Sequence, residues 1–358
     1  MLSETLQLLD IPATPSEEVQ KHTEWLLNQF EKVTDVCNKW TENMREKLND
    51  SQLSILELER ELLSAIRATT FIDESGQPDQ PYSERPLQIA ALLNFMASHE
   101  VKRKDGNPYT AHPMFVDLII SWLGDKNNIG TRIRALLHDL VEEDTFRLLV
   151  QNNKDPEAGC ITPDWEKSIV ENMKMARLQL NKLIPEFNPG DAALELMAPI
   201  IPDDELPDSI SKKDVPAYKQ ALFIYWLNWR AKNQKDVRII KLADKIHDSL
   251  DLDYISNNED KTKKEIKHKL ETKFAKIFFS VYHLMHDKSG TLQPDVPKHL
   301  WNVFSNLINT RLKSFSIDTT EGSVFYVTFM NYRQFYLNHK GDMEKECIKY
   351  AREVGLSG

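Results

Sequence analysis

The chain has 358 residues, of which 41% are hydrophobic, so it is long enough to bury a sizeable core. Its formal net charge of -10 argues against general binding to nucleic acids or anionic membranes, because both favour a net basic surface. Three widely spaced cysteines, Cys37, Cys160 and Cys347, indicate neither a disulfide framework nor a CxxC zinc site. The acidic N-terminus lacks a signal-peptide pattern, and no apolar stretch is long enough to span a membrane. We therefore expect a cytoplasmic protein.

The N-terminal region carries apolar side chains at helical spacing. In EEVQKHTEWLLNQFEKVTDVCNKW, one stripe of a helix would contain six residues: Val19, His22, Trp25, Leu26, Phe30 and Val33. SQLSILELERELLSAIRATTF repeats the pattern, so residues 1 to about 72 are predicted to form two or three helices. The segment IDESGQPDQPYSERP is then typical of a linker. We interpret residues 1–82 as a helical region and linker that could bind a protein partner.

Helical spacing resumes at Leu87 and continues, with loops, towards the end of the chain. Only 11 glycines occur and alternating β-branched residues are rare, so the predicted fold class is all-α. We predict a main domain over residues 83–290, with an inserted or irregular segment at 151–215, and a helical extension over 291–358. The extension contains one β-like run, GSVFYVTF, and we find no internal repeat.

The segment RIRALLHDLVEEDT places a histidine and an aspartate, His138 and Asp139, in the middle of a core-like helix predicted over Ala135–Val141. Burial of a carboxylate is costly unless a partner compensates for its charge. A divalent metal ion would do so, because imidazole nitrogen and carboxylate oxygen are both good ligands. Taken alone, the pair is more simply explained by a core histidine and a buried hydrogen-bond acceptor.

Two other segments supply further ligands. HEVKRKDGNPYTAHP contains the tight-turn signal DGNP, followed by His112. DVRIIKLADKIHDSLDL places Asp244 in an apolar helix, where its carboxylate again requires a positive partner. With His138 and Asp139, these residues form a plausible mononuclear metal site that leaves room for water or substrate.

These three segments resemble the HD superfamily of metal-dependent phosphohydrolases. They are most similar to the alarmone hydrolases, which remove the 3′-pyrophosphate of (p)ppGpp and share the patterns H-x-x-x-R-K-x-G-x-P-Y-x-x-H-P, A-L-L-H-D-x-x-E-D-T and K-L-A-D-[KR]-x-x-N. The order and local spacing agree from Leu87 to about Gly290. The resemblance implies an HD-domain helical bundle with helical extensions at both ends.

The resemblance also implies residue roles. It assigns four ligands to one divalent metal ion, with Mn²⁺ as the first candidate: His112, His138, Asp139 and Asp244. Two residues stand where the family activates and positions the attacking water: Glu142 and Glu143. Five residues are expected to bind the substrate: Arg103, Lys104, Tyr109, Lys241 and Asp248. Solvated basic residues are the alternative for Arg103 and the lysines, and packing of the turn is the alternative for Tyr109.

Two positions depart from the family. Glu143 stands where the family has the aspartate that helps to position the attacking water. Either the longer side chain of Glu143 or the side chain of Asp144 takes this role. Asp248 stands where the family has asparagine near the sugar, and a carboxylate there would repel a nearby phosphate.

The expected function is that of a metal-dependent phosphohydrolase or pyrophosphohydrolase acting on a nucleotide, with (p)ppGpp as the first candidate. The alternative is a catalytically degenerate HD protein that binds a nucleotide or partner protein without turnover. An HD-type di-iron oxygenase is disfavoured, because residues 139–243 contain no histidine.

Overall fold

The computed structural model of the chain describes residues 15–50, 52–103, 106–141, 163–201, 205–257 and 261–356. The fold is all-α, as the sequence predicts. The N-terminal half contains helices α1 to α5 and a short antiparallel hairpin: α1 (Glu17–Leu48), α2 (Ile55–Ala68), β1 (Phe71–Ile72), β2 (Pro78–Asp79), α3 (Arg85–Ser98), α4 (Ala111–Leu123) and α5 (Ile129–Leu137).

The other helices in the described part of the chain pack around the same core. In chain order they are α6 (Pro163–Leu183), α7 (Pro189–Leu196), α8 (Val215–Arg230), α9 (Asp236–Leu250), the single turn α10 (Asp253–Ser256), α11 (Lys263–Met285), α12 (Lys298–Ser314), α13 (Val324–Asn338) and α14 (Lys340–Val354). The segment 151–215, expected to be irregular, thus contains α6 and α7.

Helix α13 begins at Val324, within the run GSVFYVTF, so the interpretation of this run as β-like was wrong. Ser323 precedes the helix in an extended conformation and accepts a hydrogen bond from the Tyr326 backbone N–H, as an N-cap does. Phe325 and Phe329 then bury their rings against Phe278 of α11. Tertiary packing and the cap therefore outweigh the β-propensity of the run.

Helix α4 lies at the centre of the fold and is buried along almost its whole length. It packs against α1, α5 and α9, and α9 packs in turn against α11 and α12. One apolar core runs from Val19 to Leu356, so the helices before and after the predicted main domain share it. The domain boundaries near residues 82 and 290 stay predictions.

Helix α1, whose apolar stripe is buried, packs against α2, α4 and α12. Binding of a protein partner through the N-terminal helices stays a prediction. Such a partner would have to contact a face of these helices other than the buried stripe of α1. Among the described residues, none of the helices combines the length and the hydrophobicity that a membrane-spanning segment needs.

Three connections between described helices, the three shared turns, have the same residue pairing and the same glycine position, although no repeat was found in the sequence. Each pairs its first residue with its seventh: Ile72 with Pro78, Lys102 with Pro108, and His286 with Leu292. The fifth residue is a glycine with φ of 80°, 89° and 81°, respectively: Gly76, Gly106 and Gly290. Because L side chains rarely adopt this conformation, glycine is the residue that the turn requires.

A buried ion pair joins α4 to α5. The guanidinium of Arg132 donates from Nε and a terminal nitrogen to the Asp117 carboxylate at 2.8 and 3.0 Å, and also donates to the Pro81 carbonyl. Both side chains are buried. Since α4 and α5 each deliver a histidine to the candidate site, this pair helps to fix the distance between them.

We predict that Asp117→Ala lowers the free energy of unfolding by about 3–5 kcal/mol, because it leaves the Arg132 guanidinium buried without its counter-charge. Urea denaturation measures the change. Glu61→Ala is the matched control: it removes the exposed Lys47–Glu61 pair, 2.8 Å apart, and should cost less than about 1 kcal/mol. Equal losses in the two variants would contradict a structural role for the buried pair.

Candidate metal centre

The structure brings together the four residues expected to be metal ligands. His112 lies in the first turn of α4, His138 follows the last residue of α5, and Asp244 lies in the middle of α9. All four side chains are buried. Ligand atoms of His112, His138 and Asp244 lie within 4.8 Å of one another. Asp139 completes the group, because its Oδ2 atom lies 3.2 Å from His112 Nε2.

His138 and Asp139 lie in a turn and not within a continuous helix. The predicted helix over Ala135–Val141 was wrong in this detail, because α5 ends at Leu137 and His138 is its C-cap. The turn brings the Nε2 atom of His138 to 3.1 Å from the Oδ1 atom of Asp139. The side chains of His138 and Asp139 are therefore directed towards the same position, although the two residues are adjacent in sequence.

The hydrogen bond of His138 fixes the protonation of its ring. The Nδ1 atom lies 2.7 Å from the Ala135 carbonyl oxygen, which can only accept, so Nδ1 carries a proton. In the neutral ring, the Nε2 atom then presents a lone pair to the Asp139 carboxylate. Nε2 is buried and has no hydrogen-bond partner among the described residues. A cation between these atoms, or a proton on Nε2, would relieve the repulsion, so the donor set fits a metal ion.

Charges around the site keep both carboxylates ionised. Burial alone would raise the pKa of Asp139, but the neighbouring His138 and His112 hold this pKa well below its usual range. Burial likewise opposes ionisation of Asp244, but Lys245 and Lys241 lower the pKa of Asp244 to about 2. Because a metal ligand must be deprotonated, ionised carboxylates favour metal binding at neutral pH.

The two histidines differ in their electrostatic surroundings. Burial and the positive charge of Arg103 lower the pKa of His112, so that ring is neutral and its lone pair is available. Burial is the largest single influence on His138 and lowers its pKa, but the charge and close approach of Asp139, together with the charge of Asp244, outweigh burial, so the net shift of this pKa is upward. Without a metal ion, a proton on His138 would thus balance part of the negative charge.

Lys241 and Lys245 use one oxygen of Asp244 and leave the other to the site. Their Nζ atoms lie 3.3 and 3.2 Å from Asp244 Oδ2. The Oδ1 atom faces the opposite way, 3.4 Å from His112 Nε2. The predicted substrate contact of Lys241 stays a prediction, and in this structure the lysine orients a candidate ligand.

Asp248 is balanced by two lysines. Its Oδ2 atom accepts from Lys245 Nζ at 2.6 Å, and its Oδ1 atom lies 3.8 Å from Lys273 Nζ. Burial would raise the pKa of Asp248, but Lys245 and Lys273 hold it well below its usual range. The repulsion of a nearby phosphate, expected from the sequence, is therefore reduced by these neighbours.

Two of the expected substrate-binding residues border the candidate ligands. The Tyr109 hydroxyl donates to Asp139 Oδ2 at 2.7 Å and so orients that carboxylate. The Arg103 guanidinium donates to Asp251 Oδ2 at 2.6 Å and lies 5.7 Å from the centre of the Tyr109 ring. Three further expected site residues lie outside the described residues: Lys104, Glu142 and Glu143.

Comparison of the three shared turns singles out Arg103. At the second position of the other two turns stand Asp73 and Asp287, whose carboxylates accept backbone N–H groups within the turn. Arg103 occupies this position in the middle turn and instead reaches Asp251. Arg103 therefore offers no carboxylate to the middle turn and instead places a cation beside the candidate centre.

His247 and Asp251 belong to the site but were not identified from the sequence. Counted from Asp244, His247, Asp248 and Asp251 follow at three, four and seven residues. This spacing is that of one helix face, and it could have indicated His247 on α9 and Asp251 at its C-cap. The Nδ1 atom of His247 lies 2.9 Å from the Nδ1 atom of His112. The rings of Phe30 and Phe115 pack against His247, with centroids 5.5 and 5.3 Å away.

The contact between the two Nδ1 atoms links metal binding to the tautomer of His112. If Nε2 of His112 binds a metal ion, the proton of the neutral ring must be on Nδ1. That Nδ1–H then donates to His247, whose Nδ1 must carry a lone pair. His247 is thus positioned to orient the ring of His112 and select its tautomer, as outer-shell residues of metal sites do.

Comparison with family models, with curated proteins and with solved structures gives no match for this chain. The interpretation of the site therefore depends on its own residues and on the resemblance of the three sequence motifs.

We predict that His247→Phe weakens Mn²⁺ binding by about 10- to 100-fold, because phenylalanine fills the space between Phe30 and Phe115 but cannot accept the His112 proton. His247→Asn, which offers an acceptor near the position of Nδ1, should bind more tightly than His247→Phe. Calorimetric titration of metal-free protein measures both affinities. Equal affinity of the two variants would show that His247 acts through packing alone.

Proposed function

We propose that the chain is a metal-dependent phosphohydrolase of the HD type that acts on a nucleotide. One observation carries the proposal: two imidazoles and two carboxylates from three separate segments converge on one buried point, where the lone pair of His138 faces a carboxylate. The all-α fold is compatible with an HD-domain bundle. The mixed nitrogen and oxygen donor set suits Mn²⁺ as the first candidate ion.

His112, His138, Asp139 and Asp244 would hold the ion, which when bound polarises a phosphoryl oxygen and offsets the charge that develops during displacement. The surrounding residues keep these ligands in place. Tyr109 orients Asp139, Lys241 and Lys245 engage the far oxygen of Asp244, and His247 orients His112. Little rearrangement of the ligands is therefore required for binding.

Three residues would act on the substrate. Arg103, beside the Tyr109 ring, could stack on a base or form two parallel hydrogen bonds to a phosphate. By the resemblance, Glu142 would accept the proton of the attacking water, a role that suits a carboxylate beside a metal centre. Glu143 would position this water. A (p)ppGpp-like alarmone is the first candidate substrate, and pyrophosphate would be the leaving product.

The competing proposal is a catalytically degenerate protein that binds a nucleotide without turnover. The replacements Glu143 and Asp248 support it. The two proposals predict the same metal binding and differ in product formation, so a turnover assay distinguishes them.

We predict that Mn²⁺-loaded protein releases phosphate or pyrophosphate from at least one member of a nucleotide panel that includes (p)ppGpp. Glu142→Gln should retain the metal and bind the substrate while losing roughly two to four orders of magnitude in kcat, which is the usual contribution of general acid–base catalysis. Product analysis with metal quantification provides the measurement. Tight nucleotide binding with no product from the wild type would favour the degenerate protein, whereas a normal rate in Glu142→Gln would transfer its role to Glu143 or Asp144.

We further predict that Asp248→Asn raises kcat/KM for (p)ppGpp relative to nucleotides with an unphosphorylated ribose. Asparagine removes a negative charge and leaves Lys245 with one fewer counter-charge, so the site becomes more favourable for an additional phosphate. The ratio of kcat/KM values on the two substrates measures the effect.

Asp342→Asn is the charge-matched control, since Asp342 is partly exposed on α14. If Asp248→Asn changes the ratio no more than this control does, Asp248 does not contribute to specificity.

A further inference from the structure

A second group of candidate ligands lies between the first and the twelfth helix. His22 of α1 and His299 of α12 are in contact, with 3.0 Å between His22 Nδ1 and His299 Nε2. Glu18 precedes His22 by one helical turn, so both side chains lie on the same face of α1. One ligand atom from each of the three residues lies within 4.8 Å of the other two. None of these residues belongs to the centre described above.

Helix packing holds the two rings in place. Val19 and Thr23, which follow Glu18 and His22 by one residue each, are buried, and Asn306 of α12 donates to Thr23 Oγ1 at 2.9 Å. Leu300, next to His299, is buried as well. Because α1 and α12 are fixed by their own contacts, the imidazoles are brought together in advance, and little conformational entropy remains to be lost on binding an ion.

The two ring nitrogens require either a shared proton or a shared cation. At 3.0 Å, one ring must donate and the other accept. A metal ion can replace this proton and use a lone pair from each ring. Burial and the proximity of His299 lower the pKa of His22, which keeps its lone pair available at neutral pH.

Carboxylates near the two rings offset the positive electrostatic potential of the helix N-termini at which the rings lie. The amino ends of α1 and α12 carry partial positive charge, which disfavours a cation. Glu17 and Glu18 lie in the first turn of α1 and oppose this effect. Glu74, in the first of the three shared turns, acts on His22 in the same direction as Glu18.

We propose that Glu18, His22 and His299 form a second divalent metal site, of the class that binds Zn²⁺, Cu²⁺ or Ni²⁺. Two imidazoles and one carboxylate are a donor set for these ions, and the half-exposed position leaves the remaining coordination to water. The ion would cross-link α1 to α12, two helices separated by most of the chain. Because α1 also carries Phe30 against His247, this link would restrain a helix that contacts the first centre.

The test is a Zn²⁺ titration in a His138→Ala background, which disables the first centre, so that the second site is measured separately. Metal-free His138→Ala protein should bind one Zn²⁺ at this site and gain thermal stability on binding, because the ion binds the folded chain. Addition of His22→Ala or His299→Ala should abolish this binding and the rise in Tm. Glu18→Gln, at an exposed position, should weaken the affinity by about tenfold or more.

His268→Ala, in the same background, is the matched control because it removes an exposed histidine from α11. It should leave both the binding and the rise in Tm unchanged. The proposal is overturned if the isotherms of the His22→Ala and His299→Ala proteins match that of the control. The assay uses no nucleotide, so its result is independent of the proposed hydrolase activity.

Discussion

The candidate centre is defined by one constraint: buried electron-pair donors face one another and require a positive charge between them. The His138 Nδ1–H is used by the Ala135 carbonyl, so Nε2 directs its lone pair towards Asp139, and Asp244 adds a second carboxylate beside His112. In a protein interior such groups repel unless positive charge lies between or beside them. Lys241 and Lys245 supply positive charge at the Oδ2 atom of Asp244. A cation among the four donors would supply positive charge at the Oδ1 atom, which faces His112.

The residues around the four candidate ligands have roles that follow from the need to hold these repelling groups together. Tyr109 and His247 each use a hydrogen bond to orient a candidate ligand, and the Arg132–Asp117 pair joins the helices that deliver the two histidines. Arg103 gives up the local turn interaction that its counterparts Asp73 and Asp287 make. These positions thus act on the candidate centre by orienting a ligand, by joining the helices that carry the ligands, or by adding positive charge nearby.

Much of the fold and the candidate ligands could be predicted from the sequence, because helical spacing and three local motifs are encoded within short segments. The all-α class follows from that spacing, and His112, His138, Asp139 and Asp244 were chosen because buried polar residues require partners. Features that depend on distant contacts were missed. The run GSVFYVTF becomes helical through the Ser323 cap and the packing of Phe325, and the pairing of Asp248 with Lys273 joins two helices. The contact of His247 with His112 joins segments that are far apart in sequence, although the spacing along α9 indicated its face.

The most direct test of the central claim is anomalous diffraction from crystals grown with Mn²⁺, with data collected at the manganese absorption edge. The account predicts one strong peak among His112 Nε2, His138 Nε2 and the carboxylates of Asp139 and Asp244, at distances typical of first-row metal ligands. The same crystals of His138→Ala protein should lose this peak. A wild-type map without manganese between these four residues, at saturating metal concentration, would contradict the claim that this centre binds a metal ion.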